Sequence, residues 1–574
     1  MKQLLLLSFS LFALNSFAQL PVTRYETSKG TESVTYYEAI AAWKQIDKLS
    51  PVVSIRTMGL TDANEPLHLV LVSSDQTFEP VQWQLKNKVV ILINNGIHPG
   101  EPDGIDASIS LVKDIISKKR TLPSNVVLAI IPVYNIGGSL NRTTTYRIDQ
   151  NGPVEKGFRG NSQNFDLNRD FIKNDSKEAR SFAQIFHLVQ PDILIDNHVS
   201  NGADYQHVMT LLTSQHNKLG GKMGEFLNQT FEPAIYKSMK IKGYDLLPYV
   251  NNFGDNPENG WSAYWDGPRY SSGYASLWNT FAFVPETHML KPYAQRVEAT
   301  FQLMVSMIEF ASSNQAAIKQ VRTQQQKEQL TQPQFPIGFT LDRTKFAEIL
   351  YKGYEAGRKP SNISGLPRLY YDRSKPFEKM IKFYNFFTPK TMIDKPTAYV
   401  IPQGWWKVIE LLKINNVQMR AFTKDTSITV EVYRIEDYKS SARPYEGHHL
   451  NSEVKTSKHL QQMNFRKGDW YIPMNQKANR FLMEVLEPTS DDSYFAWNFF
   501  DGILGQKEGY SSYVFEETAE AFLQQNPAVQ QKLEQRRATD TAFAKNGSAQ
   551  LNFVYQNSPY YEPMHLRYPV YRVK

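Results

Sequence analysis

The chain has 574 residues, 13% of them aromatic and none of them cysteine, with a formal net charge of +7. That length exceeds one ordinary core and implies two or more domains, while the lack of cysteine excludes disulfides, thiolate metal sites, a cysteine nucleophile and lipid attachment through a thiol. The basic excess is mild and unclustered, with no run longer than Lys118-Lys119-Arg120, so no nucleic-acid surface is expected.

Residues 1–18 read MKQLLLLSFSLFALNSFA: one lysine, an apolar run, and Ser16-Phe17-Ala18 with small residues where a signal peptidase reads. This is the pattern of a cleavable signal peptide. The run falls short of the roughly 20 residues needed to cross a bilayer. The expectation is a bacterial protein exported to the periplasm or the medium, with no membrane anchor; removing 1–18 removes only Lys2 and takes the charge from +7 to +6.

Apolar spacing predicts a helix over 36–49 and strands over 53–58 and 67–72. Residues 89–93 are apolar and β-branched, a buried strand, and the helical pattern resumes at Gly104 and runs to 118. The strand-to-helix loop between them holds His98 and Glu101, an imidazole and a carboxylate three residues apart on a turn with Pro99 and Gly100. Two such groups can converge on one cation, but catalytic zinc usually takes three protein ligands and leaves a place for water. The third must come from elsewhere.

A strand over 126–134 comes next, then a long polar loop over 149–174 with Arg159 and the run Asn164-Phe165-Asp166-Leu167-Asn168-Arg169-Asp170. A loop of that length in a compact domain is usually functional or disordered, and its aromatics argue against disorder. A helix over 176–190 leads to a short strand, 193–195, which delivers Asp196-Asn197-His198. Carboxyl ends of parallel strands share one edge of an α/β sheet, where ligands bind, so His198 can meet His98 there. Residues 281–285 repeat the pattern and deliver Glu286, and a helix over 294–311 closes the unit. Residues 312–334 turn rich in Gln, Ser and Lys and read as a helix tail and linker. Beyond them come strand-like alternation over 338–384, a β-α-β unit over 398–422, mixed pattern over 469–486 and a helix near 516–525. The expected organisation is a signal peptide (1–18), an α/β domain with a mixed central sheet flanked by helices (19–312), a linker (313–336) and a C-terminal mixed α/β or β-rich accessory domain (337–574).

His98-Pro99-Gly100-Glu101, Asn168-Arg169, Asp196-Asn197-His198 and the strand-final Glu286 occur in this order, and with them residues 33–312 resemble the zinc metallocarboxypeptidases of the carboxypeptidase A type, in a large secreted bacterial form. The resemblance implies one Zn²⁺ per chain, held by His98, Glu101 and His198. It makes Glu286 the general base and acid, and Asn168 and Arg169 the binders of the substrate's terminal carboxylate. Asp166 would fix the tautomer of His98. Arg159 would stabilise the oxyanion, with Arg147 as the alternative. A substrate-capping tyrosine is sought among Tyr264, Tyr270 and Tyr274, with Tyr270 preferred. Asp170 stands where many relatives have Asn, which implies an extra negative charge beside the carboxylate-binding pair.

The chemistry asks for the same residue types. Zinc on two imidazoles and a carboxylate lowers the pKa of a bound water to about 7, a carboxylate outside the metal shell can shuttle the proton, and a guanidinium matches a carboxylate bidentately. Each assignment has a structural rival: Glu286 as a cap or ion-pair partner, Arg169 paired only with Asp166 or Asp170, and isolated histidines as packing residues. The last reading is taken for His207, His288 and His448-His449, which lack metal-ligand spacing. The expected function is hydrolysis of C-terminal peptide bonds on peptides or proteins. A zinc-dependent N-acyl amino acid deacylase and a non-catalytic peptide- or glycan-binding protein are the alternatives.

Overall fold

The computed structural model describes residues 19–251 and 256–574, so the signal-peptide reading of 1–18 lies outside the described residues. The chain divides into two compact units: one runs to Lys327 and takes in Thr340–Thr388, and the other joins Glu328–Phe339 to Pro389–Lys574.

The first unit is built on a nine-stranded mixed sheet. Its strands are β1 (Val53–Leu60), β2 (Pro66–Val72), β3 (Val89–Asn94), β4 (Val126–Ile131), β5 (Ile193–Asp196), β6 (His198–Ser200), β7 (Met209–Thr213), β8 (Leu247–Pro248) and β9 (Phe281–His288). The spatial order is β1-β2-β4-β3-β5-β9-β7-β8, with β6 beside β9. The centre, β4-β3-β5-β9, is parallel. β3, β4 and β5 are buried along their whole length, which is why they read as unbroken apolar runs. Helices α1 (Asp103–Ile116), α2 (Lys177–Val189) and α3 (Tyr293–Ser313) flank the sheet. This is the mixed sheet with flanking helices expected from the sequence.

Register decides where the loops emerge. Ile93 and Asn94 stand beside Ile195 and Asp196, Phe283 stands beside Ile195, and Glu286 stands beside His198. The carboxyl ends of β3, β5 and β9 are therefore level, and the segments that leave them open at one edge of the sheet.

Two stretches differ from the sequence reading. Where a linker is expected, Gln315–Thr331 is a helix. Arg322 on it donates to Pro191 O (2.9 Å) and bonds to the buried Asp192, whose other oxygen accepts from Val90 N at 2.8 Å; Lys319 reaches that oxygen at 2.7 Å. Without these two cations Asp192 would be a buried, uncompensated charge, so the helix is held by charge where its sequence lacks an apolar stripe. Second, Ala347–Pro360 and Pro367–Tyr384, which the sequence reading puts after the boundary, form a long antiparallel hairpin within the first unit. Tyr351, Ile381 and Phe383 of the hairpin pack with Tyr205, Leu247, Val250 and Trp261.

The second unit carries a six-stranded sheet, a helix Trp406–Ile414 and C-terminal helices with a small core of their own around Phe515, Leu533 and Val554. A buried Glu487 accepts from Tyr399 (2.5 Å) and Tyr433 (2.8 Å) and pairs with Arg572. Among the described residues no helix is long and apolar enough to cross a membrane.

Candidate metal centre and cleft

His98, Glu101 and His198 are each at most 4% exposed, and one ligand atom from each lies within 4.8 Å of the others. The turn after β3 brings Glu101 N onto His98 O at 2.8 Å, so the two side chains face the same way. A close approach completes the trio. The loop that delivers His198 passes the start of α1, where a Cβ on Gly104 would stand 2.3 Å from Asn95 Oδ1 and 2.6 Å from Asn197 Cβ. Glycine is the residue that fits there.

Each imidazole is oriented by a carboxylate on its far nitrogen. His98 Nε2 donates to Asp166 Oδ1 at 2.9 Å and His198 Nε2 to Asp196 Oδ2 at 3.2 Å. Asp196 is steadied in turn, its Oδ1 accepting from Asn94 Nδ2 at 3.0 Å. A carboxylate can only accept, so both Nε2 atoms carry hydrogen, and in the neutral form each ring turns its Nδ1 lone pair inward. Those lone pairs face Glu101: His98 Nδ1 lies 3.3 Å from Oε1 and His198 Nδ1 lies 3.1 Å from Oε2. His98 Nδ1 is buried and makes no hydrogen bond. Lone pair against carboxylate is repulsive unless a cation or a proton stands among them, and this donor set with its outer carboxylates suits zinc.

The electrostatics agree. Burial would raise the Glu101 carboxyl, but the Arg147 guanidinium and the two imidazoles outweigh it and hold it well below the usual range. Burial would lower His198, but Asp196 and Glu101 hold it well above its ordinary value. A place that attracts a proton so firmly has the negative potential a metal cation needs.

A cleft of about 380 Å³ opens over this centre and is lined by His98, Glu101, Arg147, Arg159, Asn168, Arg169, Tyr264, Tyr270 and Glu286 among others. Asp166 caps the short turn Leu167–Arg169 through Asn168 N at 2.9 Å. Despite burial, His98, Arg159 and Arg169 hold its carboxyl well below the usual range. Arg159, half exposed, places Nη2 2.8 Å from Asp166 Oδ2 and Nη1 3.7 Å from Glu101 Oε1. Arg147 is engaged differently: Nη1 donates to Glu101 Oε1 at 2.7 Å and Nη2 to Val199 O at 2.9 Å. It braces Glu101, while Arg159 presents its face to the cleft. The Arg169 guanidinium lies 4.5 Å from the centre of the Tyr270 ring, and the Tyr264 hydroxyl bonds to that of Tyr270.

Glu286 enters the cleft from the end of β9, and its carboxylate makes no hydrogen bond or ion pair with the described residues. Burial pushes it up to about 7, with His198 opposing and Glu101 adding to the shift. Among the described residues, none uses Glu286 as a cap or ion-pair partner.

Two other residues resolve against their sequence readings. Tyr274 is fully buried, its hydroxyl 3.1 Å from His187 Nε2, and does not reach the cleft. Asp170 does not charge the carboxylate-binding pair either: it is fully buried, accepts Lys173 Nζ at 2.7 Å and Ser176 N at 2.9 Å, and is absent from the cleft lining. His207 and His288 are packing residues as read. His288 donates to Ala203 O at 2.7 Å and accepts from Leu290 N, and His207 bonds to Asp245 O and Lys352 N.

Sequence reasoning gave no role to Asp196, although Asp-x-His at a strand end carried the signal. It also missed Tyr249, which lines the cleft from a segment with no local motif.

Residues 40–190 match a protein-family model described as zinc carboxypeptidase; the match takes in His98, Glu101, Arg159, Asp166, Asn168 and Arg169 and stops short of His198 and Glu286. A Carboxypeptidase 2 from Trichophyton equinum is 20% identical over 444 residues, 71% of this chain and 73% of that protein. Among solved structures, a carboxypeptidase A from Helicoverpa armigera aligns with a TM-score of 0.39 at 15% identity, over 53% of this chain and 76% of its own. A metallo-carboxypeptidase from Burkholderia cenocepacia aligns with a TM-score of 0.35 at 18% identity, over 50% and 68%. These matches liken residues 40–190 to the zinc carboxypeptidases and a longer stretch of the chain, at 20% identity, to Carboxypeptidase 2.

Proposed function

We propose that this protein is an exported, zinc-dependent carboxypeptidase that hydrolyses the C-terminal peptide bond of peptides or proteins. His98 Nδ1, Glu101 and His198 Nδ1 are the zinc ligands, and Glu286 is the general base and acid. The observation that carries the reading is the pair of inward lone pairs on Glu101, each ring held by a carboxylate on its other nitrogen. Export rests on the pattern of residues 1–18 alone.

Zinc bound there supplies a Lewis acid that polarises the scissile carbonyl and makes water acidic enough to attack at neutral pH. The chain's own residues do the rest. Asn168 and Arg169 hold the substrate's terminal carboxylate, the guanidinium by two parallel hydrogen bonds. Arg159 stabilises the charge that develops on the carbonyl oxygen. Glu286 takes the proton from the attacking water and returns it to the leaving amine, and a carboxyl with no competing partner suits both transfers. Tyr270, stacked against Arg169 and tied to Tyr264, covers the terminal residue. Asp166 and Asp196 keep the two imidazoles in the metal-binding tautomer.

A free C-terminal carboxylate is then required. Amidating a good peptide substrate should lower kcat/KM roughly ten- to a hundred-fold, the worth of losing charge-assisted hydrogen bonds at about 1.5–3 kcal/mol each. Equal turnover of amidated and free peptides would mean that Asn168 and Arg169 do not read the terminus, and would favour the deacylase reading if N-acyl amino acids are cleaved instead.

A further inference from the structure

The hairpin of the first unit, Ala347–Pro360 with Pro367–Tyr384, ends in a tip that the catalytic reading does not use. The turn is Ser361-Asn362-Ile363-Ser364-Gly365-Leu366, flanked by Pro360 and Pro367. Ile363 is 98% exposed and Leu366 68% exposed. Two aliphatic side chains at the apex of an arm gain nothing for the fold from where they are.

The charge around them has one sign. From Ala356 to Tyr371 there is no acidic residue, while Arg358, Lys359 and Arg368 are all present and exposed. Lys359 and Arg368 stand directly opposite each other across the two strands, and like charges in that position destabilise a hairpin unless an anion neutralises them.

Most of the N–H groups of the apex are taken up within the turn. Ser361 N donates to Leu366 O and Gly365 N to Ser361 O, both at 2.9 Å. Ile363 N and Ser364 N donate to Ser361 Oγ at 3.1 and 3.2 Å, and Leu366 N to Ser364 Oγ at 3.3 Å. Pro360 and Pro367 have no N–H to satisfy. A turn with most of its donors taken up internally gives up few hydrogen bonds to water when it settles at the headgroup layer. Apolar apex, basic collar and a turn with most donors taken up internally together match the boundary between headgroups and acyl chains of an anionic bilayer.

We infer that this hairpin tip is a membrane-docking element: Ile363 and Leu366 insert at the surface of an anionic phospholipid bilayer while Arg358, Lys359 and Arg368 contact the headgroups. Snorkelling lets the long basic side chains stay at headgroup level as the aliphatic pair goes below.

The test is flotation of the full chain with phosphatidylcholine vesicles that contain or lack phosphatidylglycerol. The wild type should float only with the anionic vesicles. Ile363→Asp with Leu366→Asp, a change at solvent-exposed positions, should lower the bound fraction at least about tenfold, and Lys359→Glu with Arg368→Glu should do the same, each with an unchanged thermal midpoint. An Ile363→Trp variant should show a blue-shifted emission with anionic vesicles that brominated lipid quenches. Three results would overturn the inference. They are no flotation of the wild type, aspartate variants that bind like the wild type because the net positive surface adsorbs elsewhere, or an Ile363→Trp emission that is blue-shifted without vesicles because a second copy covers the tip.

Discussion

In the proposed mechanism Glu286 is the residue on which the chemistry turns; no described residue bonds its carboxylate, and burial already pushes it up to about 7. Glu286→Gln is nearly isosteric and touches no ligand-to-carboxylate bond, so metal content and thermal midpoint should stay at wild-type values. Turnover should fall by at least the roughly 10²–10⁴-fold typical of general acid–base catalysis, and further if one group serves two steps. Measuring kcat, bound zinc and melting temperature on one preparation checks this; full zinc with near-wild-type kcat would remove Glu286 from the mechanism. The four central residues were legible one by one because each lies just past an apolar strand. Asp170 and Tyr274 were not, because which way a side chain turns off a loop or a helix depends on neighbours the local pattern does not mark: Lys173 and Ser176 turn Asp170 inward, and His187 holds Tyr274 in the core.

At the level of elements, the packing of α1 on α3 contains a titrating group. Asp106 on α1 is 2% exposed, accepts a hydrogen bond from the Tyr293 hydroxyl at the start of α3, and is pushed by burial from an ordinary value of 3.8 up to about 7. The folded protein therefore binds a proton more tightly here than the unfolded chain does. This group's contribution to stability is accordingly full below pH 4, declines as pH rises, and is lost above about pH 7. Asp106→Asn removes the titration and can still accept from Tyr293. The stability of that variant relative to wild type should thus rise by up to about 1.4 kcal/mol per pH unit between pH 4 and 7 and level off above. Denaturant melts at several pH values read it directly, and a difference that is flat across this window would show that Asp106 is ionised throughout. The boundaries of α1 and α3 were legible to within a few residues from apolar spacing; that their contact buries a carboxyl was not.

At the scale of the whole molecule, the division of the chain is testable by truncation. A chain ended at Asn314 respects the boundary suggested by composition. It lacks Tyr351, Ile381 and Phe383, which would leave Tyr205, Leu247, Val250 and Trp261 uncovered, and it lacks the Lys319 and Arg322 partners of buried Asp192. An unpaired buried charge alone costs about 3–5 kcal/mol, a large part of a typical domain's stability. The shorter chain should be insoluble or melt far below one ended at Thr388, which retains all of these groups. Equal solubility and melting temperature would return the boundary to the Gln-rich stretch.

The sequence by itself determined the mixed α/β sheet of the first unit, its flanking helices, and the order of His98, Glu101, Asn168, Arg169, His198 and Glu286. It could do so because buried parallel strands are written as unbroken apolar runs and the loops after them carry the polar exceptions. Only the tertiary structure decided which groups act on which. The β3-β5-β9 register makes three strand ends level, and with them Asp196 comes behind His198, Arg147 braces Glu101, and Glu286 has no side-chain partner among the described residues. Likewise, the hairpin and most of the helix Gln315–Thr331 join the first unit through apolar and charged contacts with residues distant in sequence, and no local pattern records a contact of that kind.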